Sequence, residues 1–326
     1  MAFIEKLDER LTIIDSLDLG MRGRTSTYVL QDEKIALFEP SASPSIPHIL
    51  EGLKELSIPL EKIDFIIVTH IHLDHAGGAG LLLEKCPNAY LVVHPKGAKH
   101  LIDPSRLIAG AQAVYGSEFN RLFDPIIPIP ENRLLIMENA DTLKLSDTCT
   151  LTFYDSPGHA NHHFSIHDSV SNGIFTGDAI GIFYQELLED GLEFYLPSTS
   201  PNQFNPEAML KSAQMIEKLA VEKIYYSHFG VSSNPNQALS ALRKWLPVFL
   251  DAAERGLLLE NDKENVTALA HSVQNELQKS VFKALDQQNI SKTHSVYDIL
   301  KLDLSVCAMG LVDYLEKRKR LKQPKA

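Results

Sequence analysis

Four side chains that can bind a metal ion lie within six residues of one another, directly after an apolar run at residues 63–68. The run has the length and composition of a buried central strand. The four side chains are His70, His72, Asp74 and His75. Imidazole nitrogen and carboxylate oxygen are the usual protein ligands of zinc, iron and manganese. Because a helix cap needs only one polar side chain, the segment predicts a metal site at the carboxyl end of a strand.

Three later polar residues also follow predicted strands, at 150–154, 173–176 and 223–226. They are His159, Asp178 and His228. Taken singly, a histidine or aspartate after a strand is typical of a turn or a helix cap. All three occur in one chain with the first cluster, and each lies just beyond a strand. The pattern therefore favours one shared metal site over three unrelated turns.

Short β-type runs alternate with helical patterns over most of the chain. Further strands are predicted at 11–14, 26–30, 35–38 and 89–93. Residues 46–56 have apolar side chains at nearly every third or fourth position, which predicts a surface helix. Strands first, followed by alternating helices and strands, indicate two sheets flanked by helices.

The pattern changes after about residue 256. One apolar stripe of helical spacing begins after Asn261, the predicted N-cap, and a second helical stretch covers residues 296–315. Residues 317–326 contain six Lys or Arg and lack apolar periodicity, which predicts a frayed, solvated terminus. We therefore expect a catalytic domain at 1–256 and a helical extension with a basic tail at 257–326.

Composition excludes several classes of protein. The chain is 44% hydrophobic and 22% charged, as in ordinary globular proteins. Its net charge of −11 disfavours nucleic acid as a partner. Three widely spaced cysteines do not form a disulfide framework. The charged N-terminus does not resemble a signal peptide, and no apolar run reaches the about 18 residues of a membrane span. We expect a cytoplasmic protein that acts on a small molecule, without membrane or nucleic acid.

The motif His-x-His-x-Asp-His, followed by His159, Asp178 and His228, resembles the metallo-β-lactamase superfamily. The intervals between the four parts, 84, 19 and 50 residues, fit that family. The resemblance covers about residues 10–255. It implies an α/β fold of the αββα sandwich type, with the site in a shallow cleft at one edge of the two sheets.

The resemblance also implies two divalent metal ions, with zinc expected and iron or manganese as alternatives. The first would be held by His70, His72 and His159, and the second by Asp74, His75 and His228. Asp178 would bridge the two.

The chemistry implied is attack by a bridging hydroxide on an ester, thioester, lactone or similar carbonyl compound. Asp74 would be the catalytic residue that orients or relays the proton. A nearby acid must protonate the leaving group, and Tyr184 and Tyr195, which follow Asp178, are candidates, although a packing or surface position is the favoured interpretation of each. Glyoxalase II and lactonases are relatives of known substrate. The alternative is a di-iron redox or oxygen-binding protein on the same fold. His72 favours hydrolysis, since flavo-di-iron relatives usually have Glu there.

Some residues depart from the family or lie beside its motif. Glu39 stands where relatives commonly have Asp, and we expect it to support the metal loop with a longer arm. Of His162 and His163, one is expected to contact a metal ligand and the other to be exposed to solvent. His94 and His100 are interpreted as surface residues. The C-terminal helices are expected to cover a sheet edge, line the cleft or complete a homodimer contact.

Overall fold

The computed structural model describes residues 2–322, which form two compact units. The first unit comprises residues 2–156, 162–177 and 221–234, and the second comprises 157–161, 178–220 and 235–322. The end of the predicted basic tail, residues 323–326, lies outside the described part.

Fifteen strands are present in residues 2–322. In chain order they are β1 (Ile4–Lys6), β2 (Leu11–Asp15), β3 (Ser26–Gln31), β4 (Ile35–Phe38), β5 (Ile63–Ile67), β6 (Tyr90–Val93), β7 (Leu134–Ile136), β8 (Thr142–Lys144), β9 (Thr150–Asp155), β10 (Phe164–Asp168), β11 (Gly173–Gly177), β12 (Ile182–Phe183), β13 (Tyr195–Leu196), β14 (Lys223–Tyr226) and β15 (Val231–Ser232).

The same part of the chain contains ten α-helices. They are α1 (Ile46–Glu55), α2 (Leu73–Ala76), α3 (Ala79–Lys85), α4 (Pro95–Ile102), α5 (Ser105–Tyr115), α6 (Phe119–Phe123), α7 (Pro206–Lys218), α8 (Pro235–Leu259), α9 (Val266–Gln287) and α10 (Val296–Lys322).

The first unit contains two large sheets. One has the order β1-β2-β3-β4-β5-β6-β7, antiparallel up to β4 and parallel from β4 onward. The other has the order β15-β14-β11-β10-β9-β8, in which only β11 and β14 run parallel. The carboxyl ends of β4, β5 and β6 therefore lie along one edge of the first sheet, and the polar loops follow them.

Alternating side chains of the first sheet build two separate cores. Side chains on one face, such as Ile13 and Phe38, pack with Phe153 and Phe175 of the second sheet. Side chains on the opposite face pack with α1, α3 and α4. Since both faces are covered, the central strands are apolar throughout. This explains why residues 63–68 show no alternation in the sequence.

The strands and the helix named from the sequence are confirmed to within one residue at each end. The N-cap predicted at Asn261 is wrong: Asn265 caps α9, and its side chain accepts a hydrogen bond from the N–H of Ala268 at 3.1 Å. The frayed terminus predicted from residue 317 is also wrong as far as Lys322, because α10 continues to that residue. Ion pairs one turn apart, such as Asp313–Lys317, support these last turns.

The second unit is mainly helical. Helix α9 packs against both α8 and α10. At the contact between α8 and α9, a Cβ on Gly256 would lie 2.6 Å from the Cα of Val273, so the two backbones approach closely. Residue 256, the predicted domain boundary, lies inside α8, and the division there stays a prediction. None of the helices in residues 2–322 combines the length and apolar character needed to cross a membrane.

Candidate metal centre

The cluster of the motif lies on the turn between β5 and α2. His70 is buried with 1% exposure, and its Nε2 lies 3.0 Å from Nδ1 of His72. His72 has extended backbone angles and immediately precedes α2. Helix α2 then carries Asp74 and His75 in its single turn. The strand, the extended residue and the short helix together direct the four side chains of the motif to one region.

Glu39, directly after β4, holds this turn in place. One carboxylate oxygen accepts a hydrogen bond from the N–H of Thr69 at 2.6 Å. The other accepts from the Thr69 hydroxyl at 3.1 Å and from Nδ1 of His75 at 2.5 Å. The side chain is buried, with 2% of the residue exposed. The predicted supporting role of Glu39 is confirmed.

Asp74, His75 and His228 form a group whose ligand atoms all lie within 4.8 Å of one another. Oδ2 of Asp74 lies 3.6 Å from Nε2 of His75 and 3.7 Å from Nε2 of His228. A second group of three residues meets the same 4.8 Å limit and consists of Glu39, His70 and His75. The structure thus brings together the five predicted site residues of the first unit, His70, His72, Asp74, His75 and His228.

The turn that carries His228 is anchored to β3. The hydroxyl of Tyr28 lies 2.7 Å from the carbonyl oxygen of Tyr226 and 2.8 Å from that of Gly230. The N–H of Ser26 donates to the carbonyl of Ser227 at 2.8 Å. These bonds fix the backbone on both sides of His228.

Two further histidines, His162 and His163, lie beside the motif; a contact was expected of one, and the solvent exposure expected of the other is wrong, because both are buried. The His163 ring stacks on the ring of His70, with centroids 4.7 Å apart. Its Nδ1 lies 3.0 Å from the hydroxyl of Ser156. His162 is nearly perpendicular to His72, with ring centroids 5.5 Å apart. Both histidines are buried and restrict the rotation of the motif side chains.

The sequence analysis missed a buried charge pair at this site. Asp18 and Arg24 form an ion pair of 3.2 Å, and both side chains are at least nine-tenths buried. Burial raises the pKa of Asp18; Arg24 opposes this rise, and the nearby carboxylate of Asp74 adds to it. The carboxylates of Asp18 and Asp74 are therefore close enough to interact electrostatically. Only its position in a loop after a strand could have indicated it in the sequence.

The second unit holds the other two predicted ligands next to each other. Nε2 of His159 lies 3.6 Å from Oδ2 of Asp178. Nδ1 of His159 lies 3.1 Å from the carbonyl oxygen of Ser198, and the Ser198 hydroxyl donates to Oδ2 of Asp178 at 2.9 Å. Ser200 contacts Nε2 of His159 at 3.3 Å. Sequence reasoning missed both serines, because a serine in a loop carries no distinctive signal.

The donor set fits a divalent metal ion. A carbonyl oxygen can only accept, so Nδ1 of His159 carries the proton and Nε2 is left as the ligand atom. The carboxylate of Glu39 has the same effect on His75, whose Nε2 then points toward Asp74. A histidine that donates one ring N–H to a carboxylate or a carbonyl is the usual arrangement of a metal ligand. Neutral imidazoles beside carboxylates suit zinc, iron and manganese alike.

His94 has surroundings that were not expected, whereas Tyr184 and Tyr195 are packed in line with the favoured interpretation of the sequence. His94 is buried rather than a surface residue: it caps α4 by accepting from the N–H of Lys96 at 3.0 Å, and it pairs with Asp155 at 3.2 Å. Tyr184 and Tyr195, the weak candidates for the leaving-group acid, are both buried. Their hydroxyls donate to Asp303 at 3.1 Å and to Glu193 at 3.0 Å, respectively.

Comparison with known proteins settles the family. The profile of the metallo-beta-lactamase superfamily matches residues 20–228, which is more than half of the chain. The chain belongs to the metallo-beta-lactamase superfamily. The matched range contains all seven residues of the predicted site, and the fold class predicted from the sequence is confirmed.

A similar protein in both sequence and structure is the metallo-beta-lactamase fold-containing protein ST1585 of Sulfurisphaera tokodaii. It is 25% identical over 217 residues, which are 64% of this chain and 74% of that protein. The crystal structure of the archaeal superfamily protein ST1585 from Sulfolobus tokodaii matches with a TM-score of 0.65 and 19% identity, over 93% of this chain and 98% of that chain. At this identity the structural likeness shows the fold alone.

Two other superfamily members carry names that point to different chemistry. The probable metallo-hydrolase MJ0888 of Methanocaldococcus jannaschii is 28% identical over 156 residues, 48% of this chain and 67% of that protein. The anaerobic nitric oxide reductase flavorubredoxin of Vibrio vulnificus is 23% identical over 238 residues, 68% of this chain. The match spans only 42% of the flavorubredoxin. The superfamily therefore includes both hydrolases and redox proteins.

Proposed function

We propose that this chain is a metal-dependent hydrolase that acts on an ester, thioester, lactone or similar carbonyl compound. The observation that carries the proposal is the group Asp74–His75–His228, in which two imidazoles face one carboxylate. The side chain of Asp74 is 29% exposed, whereas those of His75 and His228 are 1% and 7% exposed. A partly exposed carboxylate between buried ligands can exchange protons with solvent.

We infer that the complete centre contains all seven predicted residues and holds two divalent metal ions. His70, His72 and His159 would hold the first ion, Asp74, His75 and His228 the second, and Asp178 would contact both. The family match over residues 20–228 supports this assignment, as do the fixed ring orientations of His75 and His159. When bound, such ions lower the pKa of a coordinated water and polarise a substrate carbonyl.

The residues of this chain contribute the proton route. Oδ2 of Asp74 lies close to both of its histidine neighbours, and its partial exposure opens it to solvent. Asp74 accepts a proton there and passes it to solvent or to the leaving group.

Metal analysis combined with a substrate panel tests this proposal. The full chain is purified without chelator, and its zinc, iron and manganese contents are measured per chain. The same preparation is assayed with esters, thioesters and lactones, and separately for oxygen or nitric oxide consumption with an electron donor. We expect two ions per chain, hydrolysis of at least one carbonyl class, and loss of that activity after metal removal.

The redox alternative has a distinct outcome in the same experiment. A protein that contains two irons, consumes oxygen or nitric oxide, and leaves every carbonyl substrate intact would overturn the hydrolase proposal. His72 supports hydrolysis, because a harder carboxylate ligand at that position would favour iron.

A further inference from the structure

The loop at residues 197–202 holds both predicted metal ligands of the second unit. The carbonyl of Ser198 accepts from Nδ1 of His159, and the hydroxyl of the same residue donates to Asp178. The hydroxyl of Ser200 contacts His159 at both the ring nitrogen and the backbone carbonyl, at 3.3 and 3.4 Å. Ser198 is 6% exposed, so these bonds are shielded from water. One short loop thus sets the direction of two side chains.

This loop is held by α10, more than 100 residues later in the sequence. The hydroxyl of Thr199 donates to the carbonyl of Cys307 at 2.9 Å. The backbone of Asn202 donates to Asp313 at 3.2 Å and accepts from Lys317 at 2.8 Å. The three contacts lie on successive turns of the helix, so α10 fixes the loop at more than one point.

Gly310 makes the closest approach between α10 and the loop. A Cβ built at this position would lie 2.0 Å from the carbonyl oxygen of Thr199 and 2.7 Å from that of Ser200. A real Cβ does not tolerate such distances, so any side chain at 310 would displace the loop or the helix. The backbones of the two elements are in direct contact there.

We propose that Ser198 is a positioning residue for the metal ligands His159 and Asp178, and that α10 maintains this position by fixing the loop at 197–202. The inference rests on the proposed function, because it takes these two residues to be ligands. The Ser198 carbonyl selects the His159 tautomer whose Nε2 can bind metal, and its hydroxyl fixes one oxygen of Asp178. The C-terminal helix is then required for metal affinity although none of its residues is a ligand.

Metal-binding titration of the full chain tests the proposal without using activity. The metal-free wild type and its variants are titrated with zinc against a chelating indicator, and with cobalt while its visible absorption is recorded. Ser198→Ala removes the bond to Asp178, and Gly310→Ala displaces the loop from the helix side. We expect each variant to weaken zinc binding by about 10–100-fold, as for other residues that orient metal ligands. The cobalt spectrum should change, and Ser198→Thr should restore wild-type affinity.

Two matched controls separate positioning from general damage. Ser305→Ala lies on α10 and removes a hydroxyl bonded only to its own helix, at the carbonyl of Leu302. Gly110→Ala is a glycine-to-alanine change in α5, where a Cβ meets no described atom within 4 Å. Both should bind zinc within twofold of the wild type. Wild-type affinity and an unchanged cobalt spectrum in Ser198→Ala and Gly310→Ala would overturn the proposal.

The outcomes also separate this inference from the proposed function. A wild type that binds no metal removes the proposed metal centre. A wild type that binds metal while the two variants bind it equally well removes only the role of Ser198 and α10. Should Gly310→Ala unfold, Thr199→Val makes the same test, because it removes the hydroxyl bonded to Cys307 and adds no bulk. Wild-type zinc affinity in Thr199→Val would then count against the role of α10.

Discussion

One carboxylate oxygen of Glu39 accepts a hydrogen bond from Nδ1 of His75 at 2.5 Å, and the other accepts from the N–H of Thr69. One side chain thereby fixes both the turn after β5 and the ring of a predicted ligand. Glu39→Gln places an amide N–H₂ against the His75 N–H or against that of Thr69, so one bond is lost. We expect zinc affinity to fall by about 10–100-fold in chelator competition. Glu118→Gln, at an exposed ion pair with Arg121, is the matched control; equal affinities in both variants would contradict the role of Glu39.

Gly177, the last residue of β11, lies against Thr69 and His163. Its φ is +48°, and a Cβ there would lie 2.3 Å from the Thr69 hydroxyl and 2.7 Å from Nε2 of His163. Gly177→Ala should lower the free energy of unfolding by about 2–5 kcal/mol, because backbone strain and overpacking add. Gly20→Ala is the matched control: its φ is +73°, and a Cβ meets no described atom within 4 Å. The control should lose only about 1–2 kcal/mol in urea unfolding. Equal losses would contradict the steric argument.

His94 should make stability depend on pH in a predictable direction. Burial lowers the pKa of His94, and Asp155 only partly opposes this effect. Below pH about 6.5 the unfolded chain therefore binds more protons than the folded chain. The contribution of neutral His94 to the free energy of unfolding is present above that pH and is lost as the pH falls below it. Asn can replace the helix cap but cannot be protonated. We therefore expect acidification from pH 8 to pH 5.5 to destabilise the wild type more than His94→Asn.

Urea unfolding at the two pH values measures this difference. His271→Asn, an exposed residue of α9, provides the comparison for the same substitution. The prediction fails if His94→Asn and the wild type lose stability in parallel on acidification.

Asp74 should matter for turnover more than for binding of the first metal ion. Asp74→Ala removes the partly exposed carboxylate and its proton route, so kcat/KM should fall by about 10²–10⁴-fold or more. The wild-type rate should rise with pH through an apparent pKa near ~7. Metal content per chain, measured alongside, should show that at least one ion is retained. Asp147→Ala, at an exposed turn, should be fully active; an active Asp74→Ala would exclude the proposed proton route.

The strand framework and the motif could be predicted because both depend on local pattern. The strand at 63–68 is buried on both faces, so its apolar composition is continuous and visible in the sequence. All four side chains of the motif follow this strand within a few residues: His70, His72, Asp74 and His75. They come together with residues that follow other strands, because the carboxyl ends of parallel strands lie at one edge of a sheet. The five predicted site residues of the first unit are therefore expected together and are found together.

The supporting role of Glu39 was predicted, but those of Ser198 and Asp18 and the burial of His94 could not be, because they depend on tertiary contacts. Ser198 acquires its role from His159 and Asp178, which are 39 and 20 residues away. Asp18 is an ordinary loop aspartate until folding buries it beside Arg24. His94 was interpreted as a surface residue because lysines follow it in the sequence, yet its ring packs against Phe164.

The bond from Tyr28 to the carbonyl groups around His228 joins residues about 200 positions apart. A ribosome adds roughly 5–20 residues per second, so β3 is synthesised about 10–40 s before the turn it anchors. Until the turn is made, the Tyr28 hydroxyl and the Ser26 N–H lack these acceptors. A nascent chain that ends before His228 also lacks one of the three side chains of the group Asp74–His75–His228. The group that we propose to hold a metal ion is therefore complete only after about 200 residues have been added to β3.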